Sequence, residues 1–487
     1  MRLTELAGSG VRQGSEREIA GLTADSREVR PGFLFAALPG SQTDGARFIR
    51  DAVDRGAVAV LAPPGVAGQV PDLGGLPIIE DEQPRRRLSL MAARFYVRQP
   101  ETIVAVTGTA GKSSVVDFVR QIWTALGRSA GSLGTLGVQS AAIQRKLIHT
   151  TPDPVALHRA LRELADDGVD HLALEASSHG LDQQRLDGVR IGAAAFTNLS
   201  RDHLDYHADA EDYLRAKLRL FDTVLAPGGT AVLPSQSSHR EQLVALCRAR
   251  GHRLLSYGQD AAEVRQLKRR PLTDGQLLTV GVGETQADLR LPLIGDFQAL
   301  NVLCAIALVL AGGEAAAAVL AAAGGLRGVR GRLELAASHP GGGRIYVDYS
   351  HKPEALRNAL AALRPHTAGR LVVVFGCGGD RDRGKRPEMG RIAAELADRV
   401  IVTDDNPRTE DAAAIRAEVL AGCPEAEEIG DRAAAIQAGI GGLAADDILL
   451  LAGKGHEQGQ DVAGVVRPFD DAEVARQAVA DISGGAS

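Results

Sequence analysis

A lysine followed by a hydroxyl residue at the end of a glycine-bearing turn is an arrangement for holding phosphate. In TGTAGKSS (107–114), Lys112 would reach terminal phosphates and the Ser113 hydroxyl could ligate Mg²⁺. Successive backbone N–H groups would form an anion cradle where a helix starts. The general pattern G-x-x-x-x-G-K-[ST] wants glycine at 106, where Val106 stands, so this is a shorter form of the loop. A chance GKS in a turn is the competing reading, and the flanks argue against it. Ile103 to Val106 reads as a buried strand, while Val115, Val116, Phe118, Val119, Ile122, Trp123 and Leu126 recur at helical spacing closed by Gly127.

Further chemistry-bearing groups follow. LALE (172–175) reads as a strand ending in Glu175, and in an open parallel sheet ligands sit beyond such ends, so Glu175 can serve as a Mg²⁺ ligand or stand as a solvated acid. NLSRDHLDYH (198–207) carries His203 and His207 four residues apart, which fits a transition-metal pair or two exposed polar residues. Lys217 falls on a predicted helix starting near Asp209. Later, Leu371 to Phe375, Val400 to Thr403 and Ile448 to Ala452 each read as an apolar strand running into a polar loop. Parallel pairing would gather Arg381, Asp405, Asn406, Arg408, Lys454 and Glu457 at one sheet edge. Guanidinium and carboxylate groups together suit a ligand bearing both charges. GCGG at 376–379 lacks the rest of a G-x-G-x-x-G, which makes a dinucleotide site there a weak expectation.

The elements that position these groups read as α/β throughout, with short apolar runs alternating with helical patterns. At 487 residues, three domains are expected: 1–98, an α/β domain; 99–331, a phosphate-loop domain with a mostly parallel sheet; and 332–487, a Rossmann-like α/β domain. The breaks fall at RQPE (98–101) and GGLRGVRG (324–331), the latter interrupting an Ala-rich helical stretch from Glu314 to Ala323. With aromatics at 3% and a net charge of −6, neither a base-stacking platform nor a general attraction to nucleic acid or anionic membranes is expected. Four separated cysteines predict a reduced, cytoplasmic protein. Early charges from Arg2 to Glu18 argue against a leader, and no run approaches the ~20 apolar residues of a membrane span.

Taken in succession, TGTAGKSS, EASSHGLDQQR, TNLSRDHLDYH with a lysine ten residues on, LIGDFQALN, GVRGRLE and VDYSHKPEAL resemble the signatures of the Mur ligases. These are ATP-dependent enzymes that add amino acids to the peptidoglycan precursor, and the likeness runs from near residue 22 to near 471. It implies that Gly108, Thr109, Ala110, Gly111, Lys112, Ser113 and Ser114 hold the ATP phosphates, with Asn301 at the adenine and Arg332 and Asp348 at the γ-phosphate and ribose. Ser113 and Glu175 would ligate one Mg²⁺, and His203 would help hold a second. Lys217 matches a lysine that the family carries as an N-carbamate, an anion able to hold Mg²⁺ where an ammonium would repel it. Catalysis would then rest on Lys112, Lys217, Glu175 and His203.

For the UDP-muramoyl-dipeptide, the same resemblance implies Ala24, Ser26, Ser41, Gln42 and Thr43, then His149, Thr150, Thr151, Ser177, Gln183 and Arg185. His149 stands where the family often has Asn, and TAVLPSQSSHR near Thr230 lacks the usual acidic N-x-D-D type sequence. DNPR (405–408) marks members that add meso-diaminopimelate. This places Arg381, Asp405, Asn406, Pro407 and Arg408 with Gly453 and Glu457 around that amino acid. The implied reaction is phosphorylation of the D-glutamate side-chain carboxylate by ATP, then capture of the acyl phosphate by an amine of diaminopimelate. A cytoplasmic monomer with Mg²⁺ as cofactor and no nucleic-acid or membrane partner is expected. Two other readings stay open: a ligase of the same fold that extends folate with glutamate, and a phosphate-loop NTPase acting as a switch or motor on a protein partner.

Overall fold

A computed structural model describes residues 1–8, 16–40, 43–68, 75–200, 202, 206–259 and 262–484. Two compact units divide the chain, one of residues 1–265 with 304–319, the other of 266–303 with 320–487.

The first unit begins with four parallel strands in the order Gly21–Thr23, Phe33–Ala36, Ala57–Ala62, Ile78–Glu80. Alternation along a strand sends successive side chains to opposite faces. Leu34 and Ala36 therefore pack with Ala59, Leu61, Leu88, Met91 and Ala92 on one face, while Phe35 and Ala37 pack with Val60, Ile49 and Ala52 on the other. The helix Pro84–Tyr96 takes its start from proline at the first helical position. It packs on the helix Pro154–Asp166, which belongs to the larger sheet of the same unit.

In that larger sheet, Arg253–Gly258, Leu225–Pro234, Ile191–Phe196, Thr102–Thr107, His171–Glu175 and Ala130–Gly134 lie side by side and parallel. Gly137–Gln139 and Gln144–Arg145 extend it antiparallel. After Thr102–Thr107 the chain builds to one side through Ala130–Gly134 and His171–Glu175, then crosses to the other at Ile191–Phe196. The carboxyl end of Thr102–Thr107 is thus a topological switch point, where such sheets bind ligands. The turn after it opens the helix Lys112–Ala125, which starts three residues before the apolar periodicity because Lys112, Ser113 and Ser114 carry no hydrophobic signal. Gly127 closes it at φ +79°.

The second unit holds an antiparallel hairpin, Gly275–Val282 with Thr285–Leu291, that no sequence pattern had suggested. Its main sheet runs Glu334–Ser338, Arg344–Asp348, Ile448–Ala452, Leu371–Phe375, Arg399–Val402, Glu427–Glu428, parallel except at the first pair. Both faces are covered, as a parallel sheet requires. Val373, Phe375 and Leu450 meet Leu356, Leu360 and Met389 on one side, and Val372, Val374, Leu449 and Leu451 meet Ile436, Ile440 and Ala475 on the other. Arg432 and Asp471 form an ion pair at 2.6 Å with both side chains wholly buried. The Ala-rich stretch forms the helix Ala316–Ala323. Among the described residues, no helix is long and apolar enough to cross a membrane.

Candidate functional site

The phosphate loop is held open by glycine. Gly108 sits at φ +148°, and a Cβ there would overlap the Thr197 hydroxyl. Gly111 adopts φ +87° as the residue before the helix Lys112–Ala125, and no side chain caps that helix. A helix start with its first turn left to the backbone is suited to an anion. Asn198 secures the loop from the neighbouring strand end. Its carbonyl accepts from Thr109 N at 2.9 Å, and its side-chain oxygen accepts from Ala110 N at 2.9 Å. Ser113 and Ser114 are buried at the helix start.

Lys112 Nζ donates to the carbonyls of Gly108 at 2.8 Å and Thr109 at 2.9 Å. Lys217, from the helix Ala210–Arg219 capped by Asp209, donates to the same Gly108 carbonyl at 2.8 Å. Its ammonium also lies 4.2 Å from the centre of the Tyr213 ring, one helical turn earlier, and the Tyr213 hydroxyl meets Thr109 Oγ1 at 3.2 Å. Burial pushes the Tyr213 phenol well above its ordinary pKa, so it remains protonated.

Glu175 ends its strand paired with Val106, directly beside the phosphate-loop strand. Its carboxylate is buried and accepts from Thr135 N at 2.8 Å and Thr135 Oγ1 at 3.1 Å. Among the described residues, no cation pairs with it. A buried carboxylate held only by neutral donors fits a divalent cation, as does the serine hydroxyl at 113, since Mg²⁺ takes hard oxygen ligands. His203 lies outside the described residues. His207, the other histidine of that motif, is buried; its Nδ1 meets Asp212 at 3.2 Å and its Nε2 has no hydrogen-bond partner.

Beyond the same strand end, the residues expected to hold the muramoyl-peptide form one hydrogen-bonded group. Thr150 Oγ1 meets Thr135 Oγ1 at 3.0 Å. Thr151 Oγ1 donates to the Glu175 carbonyl at 2.8 Å and accepts from Ser177 N and Oγ at 3.1 and 3.0 Å. Arg185 donates to the Thr151 carbonyl at 2.6 Å and to Gln183 Oε1 at 2.7 Å. Gln183 and Arg185 also line a cavity with Ala24, Leu38, Arg85, Leu88, Asp153 and Pro154, so loops after two N-terminal strands and the helix Pro84–Tyr96 contribute to its lining. Ser26, Thr43 and His149 do not line that cavity; Ser26 is buried, and the other two are exposed. Ser41 and Gln42 lie outside the described residues.

In the second unit, Asn301 Nδ2 donates to Gln298 Oε1 at 3.1 Å, and Gln298 Nε2 donates to the Arg332 carbonyl at 3.3 Å. The Arg332 guanidinium stacks 4.8 Å from the Tyr349 ring centre. Asp348 accepts from Leu333 N at 2.8 Å and from the Ser350 hydroxyl; burial raises its pKa. His351, next in line, is pushed down to about 4 by burial and is neutral at physiological pH.

The three polar loops do reach one sheet edge. Arg408 holds φ +53° and donates to the Gly379 carbonyl at 2.6 Å, with its own N–H on the Asp461 carbonyl at 3.1 Å. The glycines of GCGG have a steric reason: a Cβ at 376 would strike the Thr403 carbonyl, one at 378 the Arg408 guanidinium, and one at 379 the Pro407 carbonyl. They make room for the DNPR loop. Asn406 Nδ2 donates to Glu457 at 3.0 Å, and Gly453 at φ +115° lies beside Asp405. Arg381 is exposed, with Nη1 on the Asp380 carbonyl at 2.9 Å. Beneath them Lys454, wholly buried, donates to Asn406 Oδ1 at 2.9 Å and faces Asp405 at 3.4 Å and Glu457 at 3.6 Å.

Family models match most of this scaffold. Residues 18–96 match the Mur ligase family, catalytic domain; 106–309 the Mur ligase middle domain; and 331–455 the Mur ligase, glutamate ligase domain. The curated UDP-N-acetylmuramoyl-L-alanyl-D-glutamate--2,6-diaminopimelate ligase of Rhizobium meliloti is 49% identical, covering 98% of this chain and 99% of its own. The chain belongs to the Mur ligase family. The protein of the same name from Caulobacter vibrioides is 52% identical over 95% of both chains. A solved structure of a UDP-N-acetylmuramoyl-L-alanyl-D-glutamate--2,6-diaminopimelate ligase superposes with a TM-score of 0.73 at 32% identity, covering 99% of each chain.

Against this Mur ligase scaffold, sequence reasoning overlooked Thr135, Tyr213 and the bridging role of Lys454. Tyr213 was detectable, because residues four apart share a helix face with Lys217. Thr135, in a turn after a glycine-containing strand, left no such signal.

Proposed function

We propose that this Mur ligase joins meso-2,6-diaminopimelate to the D-glutamate side chain of UDP-N-acetylmuramoyl-L-alanyl-D-glutamate at the expense of ATP. The glutamate carboxylate oxygen attacks the γ-phosphorus and ADP departs. A free amine of diaminopimelate then adds to the acyl phosphate carbon, and the tetrahedral intermediate expels phosphate to leave the amide. The observation that carries the reading is the shared Gly108 carbonyl, which brings Lys112 and Lys217 to one point of the phosphate loop, with the Glu175 strand paired alongside.

The roles we assign to individual residues are those that the matched motifs imply. Gly108 to Ser114 cradle the phosphates, and Lys112 swings from its loop carbonyls to the terminal phosphoryl group, where it offsets developing charge. Ser113 and Glu175 would hold one Mg²⁺, and His203 with a carbamylated Lys217 would hold a second. When bound, these ions supply charge neutralisation on the transferring phosphoryl group. Asn301 faces the adenine of ATP, and Arg332 and Asp348 meet its γ-phosphate and ribose. Ala24, Ser26, Ser41, Gln42, Thr43, His149, Thr150, Thr151, Ser177, Gln183 and Arg185 bind the UDP-muramoyl-dipeptide. Arg381 and Arg408 grip the distal carboxylate of diaminopimelate, Gly453 and Glu457 hold its ammonium end, and Asp405, Asn406 and Pro407 complete the same site. We assign these tasks to functional domains 1–98, 99–331 and 332–487, a division supported by the bounds of the three family models. The enzyme acts as a cytoplasmic monomer.

The test is an amino-acid panel with purified protein, ATP, Mg²⁺ and the UDP-muramoyl-dipeptide, read by product mass. Amide product with meso-diaminopimelate, and not with lysine or ornithine, is the expected result. Product only with lysine would overturn the specificity, and ADP release without either acceptor would favour an NTPase switch. Glutamate addition to folate would restore the folate-ligase reading.

A further inference from the structure

Three arginines follow one another at the start of the helix Pro84–Tyr96, and the fold uses two of them internally. Arg86 pairs with the buried Asp187 at 3.0 Å, and Arg87 faces Asp81 at 3.8 Å. Arg85 instead lines the cavity that holds Ala24, Gln183 and Arg185, and it donates to a backbone carbonyl, that of Pro39. Arg185, which lines the same cavity, likewise bonds a carbonyl and an amide oxygen. Asp153 at the cavity edge is spent as a helix cap, its Oδ1 accepting from Val155 N and Ala156 N at 3.0 Å each.

Two guanidiniums therefore face one small cavity, and among the described residues neither has a carboxylate within ion-pair distance. They sense each other: Arg185 is lowered chiefly by burial, with the Arg85 charge pushing the same way against Asp153. Like charges converging without an internal counter-ion cost stability, and an anionic ligand removes that cost. Leu38, Leu88 and Pro154 form an apolar remainder of the wall, which lowers the local dielectric and strengthens such an attraction.

We propose that Arg85 is a second anion-gripping residue of the UDP-muramoyl-dipeptide site, acting with Arg185 in the shared cavity on the negatively charged part of that substrate. The inference rests on the proposed function for its ligand. Phosphates and carboxylates share the required chemistry, and the substrate carries both.

Binding of UDP-N-acetylmuramoyl-L-alanyl-D-glutamate and of UDP-N-acetylglucosamine is measured by calorimetry for the unaltered chain, Arg85→Met, Arg85→Gln and Arg85→Lys. Met and Gln variants should bind the dipeptide substrate at least about tenfold more weakly, with partial recovery in Lys and unchanged KM for ATP and diaminopimelate. An equal loss for UDP-N-acetylglucosamine assigns Arg85 to the diphosphate; a loss confined to the dipeptide substrate assigns it to a carboxylate. Either result supports the proposal. Binding within twofold of the unaltered chain in both Met and Gln variants overturns it, as does a parallel loss of ATP affinity. Failure of the unaltered chain to bind the dipeptide substrate would instead overturn the functional reading itself.

Discussion

Lys112 and Lys217 converge on one atom, each ammonium donating a 2.8 Å hydrogen bond to the Gly108 carbonyl oxygen. Two cations at one acceptor repel each other, and converting Lys217 to a carbamate would turn that repulsion into attraction. Protein depleted of CO₂ at mildly acidic pH should lose activity and regain it with bicarbonate. A ¹³C-bicarbonate label should appear in the unaltered chain and be missing from Lys217→Ala, whose kcat should fall at least about a hundredfold.

Gly108→Ala should abolish ATP turnover, because the new methyl group would overlap the Thr197 hydroxyl at a φ of +148° that disfavours side chains. Dipeptide binding should survive, since its proposed contacts lie around Thr151 and Arg185. Loss of both on calorimetry would mean that the phosphate loop supports the whole unit.

Chelation of Mg²⁺ should stop turnover reversibly. Glu175→Gln should raise the Mg²⁺ concentration needed for half-maximal rate at least about tenfold, since the amide keeps one oxygen to accept from Thr135 N but removes the buried negative charge. An unchanged metal requirement would remove Glu175 from the ion.

Arg408→Ala should raise the KM for diaminopimelate at least about tenfold while leaving the KM for ATP within twofold. An equal loss of both would refute its assignment.

Two stability tests address the scaffold. Asp471→Ala leaves the wholly buried Arg432 without its partner and should cost about 3 to 5 kcal/mol in denaturant unfolding. His158, buried against the Asp187 carbonyl at 3.2 Å, is lowered to about 4 by burial. Its unfolded counterpart takes up a proton near pH 6.5, so the unfolded state binds more protons between about 6.5 and 4. Stability should therefore fall as pH drops through that window, by about 3 kcal/mol from this group, and level off below it. His158→Gln should flatten that part of the curve.

The phosphate loop was legible because strand, glycine turn and helix carry their own periodicities, and the observed strand extends the expected one by a residue at each end, Thr102 to Thr107. The sheet edge of the second unit was legible for the same reason: each strand is an apolar run ending at a polar loop. The hairpin Gly275–Val282 with Thr285–Leu291 was not, since polar residues interrupt its alternation and its long-range register leaves no local trace. Arg85 was equally invisible, because only the partners of Arg86 and Arg87 reveal which of three adjacent arginines faces the cavity.

Lys454 has a further consequence. Its buried ammonium fastens Asn406 and Asp405 on one loop to Glu457 on another, so the two loops are a single welded piece. Redirecting such an enzyme to a different amino acid by grafting only the 405–408 tetrapeptide would strand that cation, and successful exchanges will have to move both segments together.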